Sequence, residues 1–302
     1  MWFIYAILTA LIWGTAELFY KKGAKPEEKY SHLKISICVG LVMGVHAIYT
    51  LIVENVDYDF INLVRYLPVS MLYILSMTFS YFGMRFLAES ISDPIENTAG
   101  AITAILCFFI LNQTMSYLAV ISVILIVIGV ILIGFFEAKD VNGRTKKLGK
   151  KLAIISFCMP FLYAILDAGG SFLDAYFLEL DTTPLLNVNE ANIELVANIS
   201  YELTFLIVAL VLLLFIKVKK ENLELRTQKD KFLAAILETA GQFTYVFALS
   251  GNAIIAAPII SSVCVVSVIL SRIFLKEKLT NKQYAAIIMV IMGILMISTT
   301  DV

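Results

Sequence analysis

Five acidic side chains lie inside long apolar runs of this chain: Glu17, Glu96, Asp167, Glu202 and Glu238. A charge at bilayer depth costs about 2.5–3.5 kcal/mol on insertion scales, so an acid kept there usually carries function. Glu238 is the sharpest case. Gln242 follows four residues later on the same helical face, and no basic residue lies within a helical turn. Such an acid suits a watery cavity in which it binds a substrate amine or a proton. The plainer alternative is a protonated glutamate hydrogen-bonded to a neighbouring helix. Glu202 sits beside Tyr201, and His46 follows a Gly40-x-x-x-Gly44 stripe of the kind that lets helices approach closely. For His46 a packed, hydrogen-bonded imidazole is expected rather than a proton relay. Asp93, Pro94, Glu96 and Asn97 open an apolar segment. Acids and a proline in a first turn are ordinary capping chemistry, and the competing reading is a vestibule that attracts cations.

Enzyme chemistry is missing. Two histidines, His32 and His46, cannot build a metal cage or an H-E-x-x-H site, and there is no G-x-S-x-G elbow. Gly143–Lys150 imitates a phosphate loop, but its spacing is one residue too long and Lys151 stands where Ser or Thr is required. It reads as a basic loop with an Asn142-Gly143 turn. No cofactor or metal is expected.

The elements that must position these acids are membrane spans. Of the 302 residues 60% are hydrophobic and 16% charged, with mean hydropathy +0.88, against about 45–50% and about 25% for a soluble domain. This excludes an ordinary soluble enzyme, a nucleic-acid binder and a disordered scaffold, and a net charge of -1 gives no pull toward polyanions. A crossing needs roughly 20 apolar residues. Ten segments qualify: 2–20, 33–53, 64–87, 94–111, 116–136, 152–173, 193–217, 232–250, 253–274 and 283–299. The runs lack the two-residue alternation of a β-barrel. The first segment has no basic residues before it and reads as a retained span. Cys38, Cys107, Cys158 and Cys264 fall inside apolar runs and read as buried small hydrophobes.

Every lysine and arginine except Arg65 falls in connections on one side of these ten segments. Positive charge marks the cytoplasmic face, so both termini are expected outside the cytoplasm. The basic loops at 138–151 and 217–231 suit contact with anionic lipid.

The chain also repeats itself. An offset of 164 aligns Tyr81 with Tyr245, Pro94 with Pro258, Leu106 with Leu270 and Gly129 with Gly293. An offset of 150 brings Trp13 to Tyr163 and Glu17 to Asp167. Each unit holds five spans, and an odd number inserts the second copy upside down, with a substrate site expected near the midplane where the halves meet. Glu17 lies four residues before Lys21, an ordinary ion-pair spacing, whereas Asp167 has Ser171 there. Repeat-related acids, one near each face, suit two alternating gates.

Two five-span units of this length resemble the EamA-type transporters of the drug/metabolite transporter superfamily. The resemblance rests on Trp13-Gly14, on Pro94 and Pro258 opening the fourth and ninth spans, and on Phe274–Thr280 (FLKEKLT) followed by the Gly293 span. In the first copy that turn has decayed to Leu111-Asn112-Gln113-Thr114. Family members are often drawn with cytoplasmic termini, the reverse of what the loop charges say here. The resemblance implies an all-α integral membrane protein with ten transmembrane helices as two inverted five-helix repeats, placed at 1–137 and 152–300 around a basic linker at 138–151. It also makes the seventh span peripheral. The expected function is secondary transport of a small cationic or zwitterionic metabolite by alternating access, as an exporter with possible proton coupling. Glu238, Gln242, Trp13, Tyr81 and Tyr245 are expected to bind substrate, with neutral hydrogen bonds from Ser261, Ser262 and Asn252. Glu17, Asp167 and Glu96 are expected to gate or to carry protons. A sugar phosphate is disfavoured unless Arg85 turns toward the cavity. The partners expected are a small molecule, H+ and membrane lipid, with no nucleic acid, and the chain acting as monomer or homodimer. The rival is a non-transporting scaffold on a transporter fold.

Overall fold

The structure, a computed structural model, describes residues 1–25, 27–87, 92, 95–140, 150–221, 227–274, 279–297 and 299. Among them every regular element is helical: α1 (Trp2–Gly23), α2 (Ser31–Val53), a single turn α3 (Asn62–Arg65), α4 (Leu67–Gly83), α5 (Ala99–Ile110), α6 (Tyr117–Asp140), α7 (Lys150–Phe177), α8 (Ile193–Val218), α9 (Lys229–Ile260), α10 (Val263–Phe274) and α11 (Asn281–Ile297). The helices α1, α2, α7, α8 and α9 are each long and apolar enough to cross a bilayer, α4, α5 and α11 are shorter apolar helices, and residues Tyr117–Ile133 form an apolar stretch of α6. In such a medium backbone groups must be satisfied within the segment, which is why continuous apolar runs become helices. Asp93, Pro94, the loop at 141–149 and Lys276–Lys278 lie outside the described residues, and with them much of the expected linker and turn motifs.

Several segments differ from their expected borders, three of them at turns or breaks. The third span starts only at Leu67, after the α3 turn. The eighth runs on through Gly251 into α9's second limb, with one non-helical residue, Asn252 (φ −168°, ψ 80°), in place of the expected loop. The ninth is then interrupted at Ser261–Ser262 before α10 begins. That interruption faces the start of α5: the Gly100 N–H donates to Ser261 Oγ at 3.1 Å, and a Cβ on Gly100 would stand 2.5 Å from the Ala257 carbonyl oxygen. Two helix ends meet there too closely for either to carry bulk.

The helix pairing carries the symmetry of the repeat. The second span packs on the seventh (α2 on α8), the fifth on the tenth (α6 on α11) and the fourth on the ninth (α5 on the second limb of α9). Exchanging the two halves maps each of these pairs onto itself. The first span packs on the eighth (α1 on α9) and the third on the sixth (α4 on α7), and the same exchange swaps these two pairs. The register agrees in detail. A Cβ on Gly129 would meet Val290 and the Ala286 carbonyl, and one on Gly293 would meet Ile126 and the Ser122 carbonyl. Val290 and Ala286 are the residues 164 positions after Ile126 and Ser122. The Gly40/Gly44 stripe packs within the chain, Gly40 against Phe205 and Ala209 and Gly44 against Leu206 of α8.

Polar groups outside the centre form two further clusters. Near the middle of α2, His46 Nδ1 lies 2.8 and 2.9 Å from the two carboxylate oxygens of Glu202 on α8, with the imidazole edge-on to Phe243. At the end carrying the basic connections, Glu28 accepts from Lys34 (2.6 Å) and from Lys231 of the second half (2.5 Å). Burial alone would raise the Glu28 carboxyl, but the hydrogen bonds from Lys231 and Lys34 outweigh it and hold it down at about 2, below the ordinary 4.5. Its contribution to stability is therefore complete above pH 4.5 and is lost as pH falls toward about 2. Lys231 is only 2% exposed. Glu28→Gln leaves it without a counter-charge and is expected to cost about 2–4 kcal/mol, the usual range for a broken buried pair reduced for the partial exposure of Glu28. Thermal unfolding in detergent should show this loss at pH 7, shrinking as pH falls below 4.5, with Lys231→Met in the same chain restoring part of it. Equal melting temperatures for Glu28→Gln and the parent protein at pH 7 would overturn this account.

One cysteine departs from expectation. Cys38, Cys107 and Cys264 are buried, but Cys158 is exposed on α7. Hydrophobicity alone cannot separate the face of a span that meets protein from the face that meets lipid.

Candidate functional site

The two halves enclose a cavity of about 140 Å³. Four helices each give it one stripe of residues at three- and four-residue spacing. These are Trp13, Glu17, Tyr20 and Lys21 from α1; Tyr73, Met77, Ser80 and Tyr81 from α4; Tyr163, Asp167 and Ser171 from α7; and Glu238, Gln242 and Tyr245 from α9. That spacing keeps a stripe on one face of a helix while the rest faces lipid or other helices. Glu96 and Asn97 complete the end nearer the basic connections, Ser261 lies at the break in the ninth span, and Tyr201 reaches in from α8.

Glu238 is 8% exposed and forms one anchor of the wall. The Tyr20 hydroxyl donates to its Oε2 at 3.0 Å, and the Tyr81 hydroxyl donates to Tyr20 at 2.9 Å. The Trp13 indole N–H donates to the Glu238 carbonyl at 3.2 Å, which sets its ring against Tyr245, centroids 5.0 Å apart. Gly241 is required for this, because a Cβ there would collide with the Trp13 ring at Cδ1. On the far wall the Tyr73 and Tyr245 hydroxyls are 2.8 Å apart, and Tyr245 meets Ser171 Oγ at 2.6 Å. Ser80 donates to Glu96 Oε2 at 2.8 Å, and Tyr163 and Asp167 line the cavity from the same face of α7.

The cavity thus carries four carboxylates (Glu17, Glu96, Asp167, Glu238) and, among the described lining residues, one basic side chain, Lys21. Lys21 donates to Ser267 at 3.1 Å. Six tyrosines and Trp13 are the largest class among the other lining residues. Carboxylates among aromatic faces attract organic cations, by charge and through the ring quadrupole. Arg85 is buried, but it donates to the Glu28 carbonyl at 2.7 Å and stands 3.2 Å from His32, outside the cavity. The condition that would favour an anionic substrate is not met.

Nine of the eleven residues named from the sequence as binding or gating therefore share one cavity. The other two do not line it. Asn252 sits at the break in α9, and Ser262 is turned away, donating to the Ile259 carbonyl. Sequence reasoning misses Tyr20, Tyr73, Tyr163 and Tyr201. A signal exists for two of them, since Tyr20 follows Glu17 by three residues and Tyr163 precedes Asp167 by four. Tyr201 lies on a span expected at the periphery, yet it reaches the cavity while its neighbour Glu202 turns away to His46.

Known proteins agree with this architecture. Along 98% of its length the chain is similar to a solved crystal structure, covering 96% of that chain with a TM-score of 0.69 at 11% sequence identity, a likeness of fold. Over 99 residues, 32% of this chain, it is 34% identical to an uncharacterised protein of Methanocaldococcus jannaschii, covering 72% of it. Residues 1–135 and 193–299 match the EamA-like transporter family, a match that takes in all but the sixth span and its flanking loops. With ten spans, an inverted repeat in register and a central cavity between the halves, the chain belongs to the EamA-like transporter family of membrane transporters.

Proposed function

We propose that the protein moves a small cationic or zwitterionic amphipathic metabolite across the cell membrane by alternating access, as an exporter coupled to protons. The observation that carries this reading is the cavity with four carboxylates, one lysine among the described lining residues, and six tyrosines and a tryptophan in its wall. In it Glu238 binds the cationic group, with Gln242, Trp13, Tyr81 and Tyr245 shaping the space around it. Glu17, Asp167 and Glu96 exchange protons or close the ends. A dry cavity of about 150 Å³ holds a benzene molecule, so about 140 Å³ suits a small amine or an amino acid. The basic connections, which gather at one end, support a cytoplasmic assignment for that end and external termini.

The test is thermal unfolding of the purified protein in detergent against amines, quaternary ammonium ions, amino acids and sugar phosphates. A ligand at 100 times its Kd stabilises the folded state by about 2.7 kcal/mol. Shifts with the cations or zwitterions, and none with sugar phosphates, are expected. A shift confined to sugar phosphates would overturn the proposal.

A further inference from the structure

The end of the cavity away from the basic connections is spanned by contacts between the two halves. Asp174 on α7 is fully buried and accepts hydrogen bonds from the hydroxyls of Tyr66 and, at 3.4 Å, Tyr73. Beyond it, Asn62 holds the main chain of Leu186 in both directions, at 3.1 and 2.9 Å, and Arg65 donates to the Pro184 carbonyl at 2.5 Å. Each of these bonds joins the first half to the second, so this end cannot open without breaking them. Tyr73 belongs to both systems. Its hydroxyl meets Tyr245 at 2.8 Å in the cavity wall, whereas Asp174 and Tyr66 do not line the cavity.

The geometry points to Asp174 as the latch of this mouth, with Tyr73 as the link through which the cavity acts on it. The titratable groups that meet Asp174 are Tyr66 beside α3 and Tyr73 on α4, with Tyr245 on α9 behind Tyr73. No lysine, arginine or histidine is among its hydrogen-bond partners in the described residues. While the mouth is shut, the two hydroxyls are the donors that satisfy the buried carboxyl group. When α4 and α7 part, water replaces them, so opening leaves no polar group stranded. A ligand group that accepts the Tyr73 hydroxyl proton withdraws one of the two donors and loosens the latch from inside.

This latch presupposes the alternating access of the proposed function, but its test needs no substrate. Met77 lines the cavity, where its sulfur accepts the Tyr201 hydroxyl at 3.3 Å. In a full-length chain with Cys38, Cys107, Cys158 and Cys264 replaced by alanine, Met77→Cys is labelled with a membrane-impermeant maleimide in membrane vesicles of both orientations. From the side away from the basic connections, labelling should be slow in this parent. It should quicken about tenfold in Tyr66→Phe, and further in Asp174→Val, while labelling from the basic side falls. Asp174→Asn, which keeps one acceptor oxygen, should lie between. Should Asp174→Val fail to give a monodisperse protein, Tyr66→Phe decides alone. An unchanged ratio of labelling from the two sides in well-folded Tyr66→Phe overturns the latch, even if cations bind. A changed ratio with no cation binding leaves the latch standing and removes the substrate reading instead.

Discussion

Glu238→Gln should weaken binding of a small organic cation about 4- to 13-fold, and so shrink the thermal shift that the cation gives the parent protein. The glutamine keeps the volume of the side chain and an oxygen that can accept the Tyr20 hydroxyl, now 3.0 Å from the carboxylate. What it loses is charge. Hydrogen bonds to a charged group contribute about 1.5–3 kcal/mol, against roughly half that between neutral partners. That difference, acting in a cavity shielded by aromatic rings, gives the stated range. The control is Glu202→Gln, which removes a carboxylate at similar membrane depth. Glu202 is held by His46 outside the cavity, so its loss should leave cation affinity unchanged while lowering stability. Equal affinity in Glu238→Gln and the parent, or equal losses in both variants, would show that Glu238 is not the cation's partner. Isothermal titration in detergent separates these outcomes, because it reads affinity apart from stability.

Gly40→Val is expected to be the most damaging of the glycine substitutions, to the point of preventing a monodisperse folded protein. A Cβ on Gly40 would collide with the Phe205 carbonyl oxygen and stand 2.6 Å from Ala209 Cβ. The backbone of α8 cannot rotate away as a side chain can. Overpacking typically costs about 1–3 kcal/mol; here it also pries apart two helices whose association in lipid rests on close packing rather than on exclusion from water. The inverted repeat adds a stricter expectation. Gly129→Ala and Gly293→Ala should lower the melting temperature by similar amounts, since each added methyl meets the same pair of positions in the opposite half. Gly169→Ala is the contrast: its nearest neighbour would be Leu72 Cδ1 at 3.7 Å, so the helix preference for alanine, about 1 kcal/mol, should prevail and raise stability. Melting temperatures of the four purified variants decide this. A harmless Gly40→Val would mean that the α2–α8 crossing is not as close as described.

Much of the site is legible in the sequence because a membrane protein spells its function in exceptions. In apolar helices the acids Glu17, Asp167 and Glu238 stand out, and the three- and four-residue spacing to Tyr20, Tyr163 and Gln242 marks the same faces. Asn252 misleads because its polarity marks the break in α9, which lies away from the cavity. His46 and Glu202, read one at a time, give no sign of each other; they are 156 residues apart and meet only because Gly40 lets α2 lie against α8. Asp174 carries no such mark, because it stands at the edge of an acidic loop, where a carboxylate is normally solvated.

By itself, then, the sequence determined the all-helical membrane fold, the even number of spans and the inverted repeat. Each follows from local quantities: apolar length against bilayer thickness, loop charge, and residues recurring at a fixed offset. Tertiary structure alone decided which face of each span looks inward, and so which polar groups meet. A helix places its own side chains at three- and four-residue intervals, but nothing within it specifies its rotation against a partner from the other half. That rotation is set by where backbones can approach, at Gly40, Gly100, Gly129, Gly241 and Gly293. The same rotation brings Tyr66 and Tyr73 to Asp174 and closes one end of the cavity.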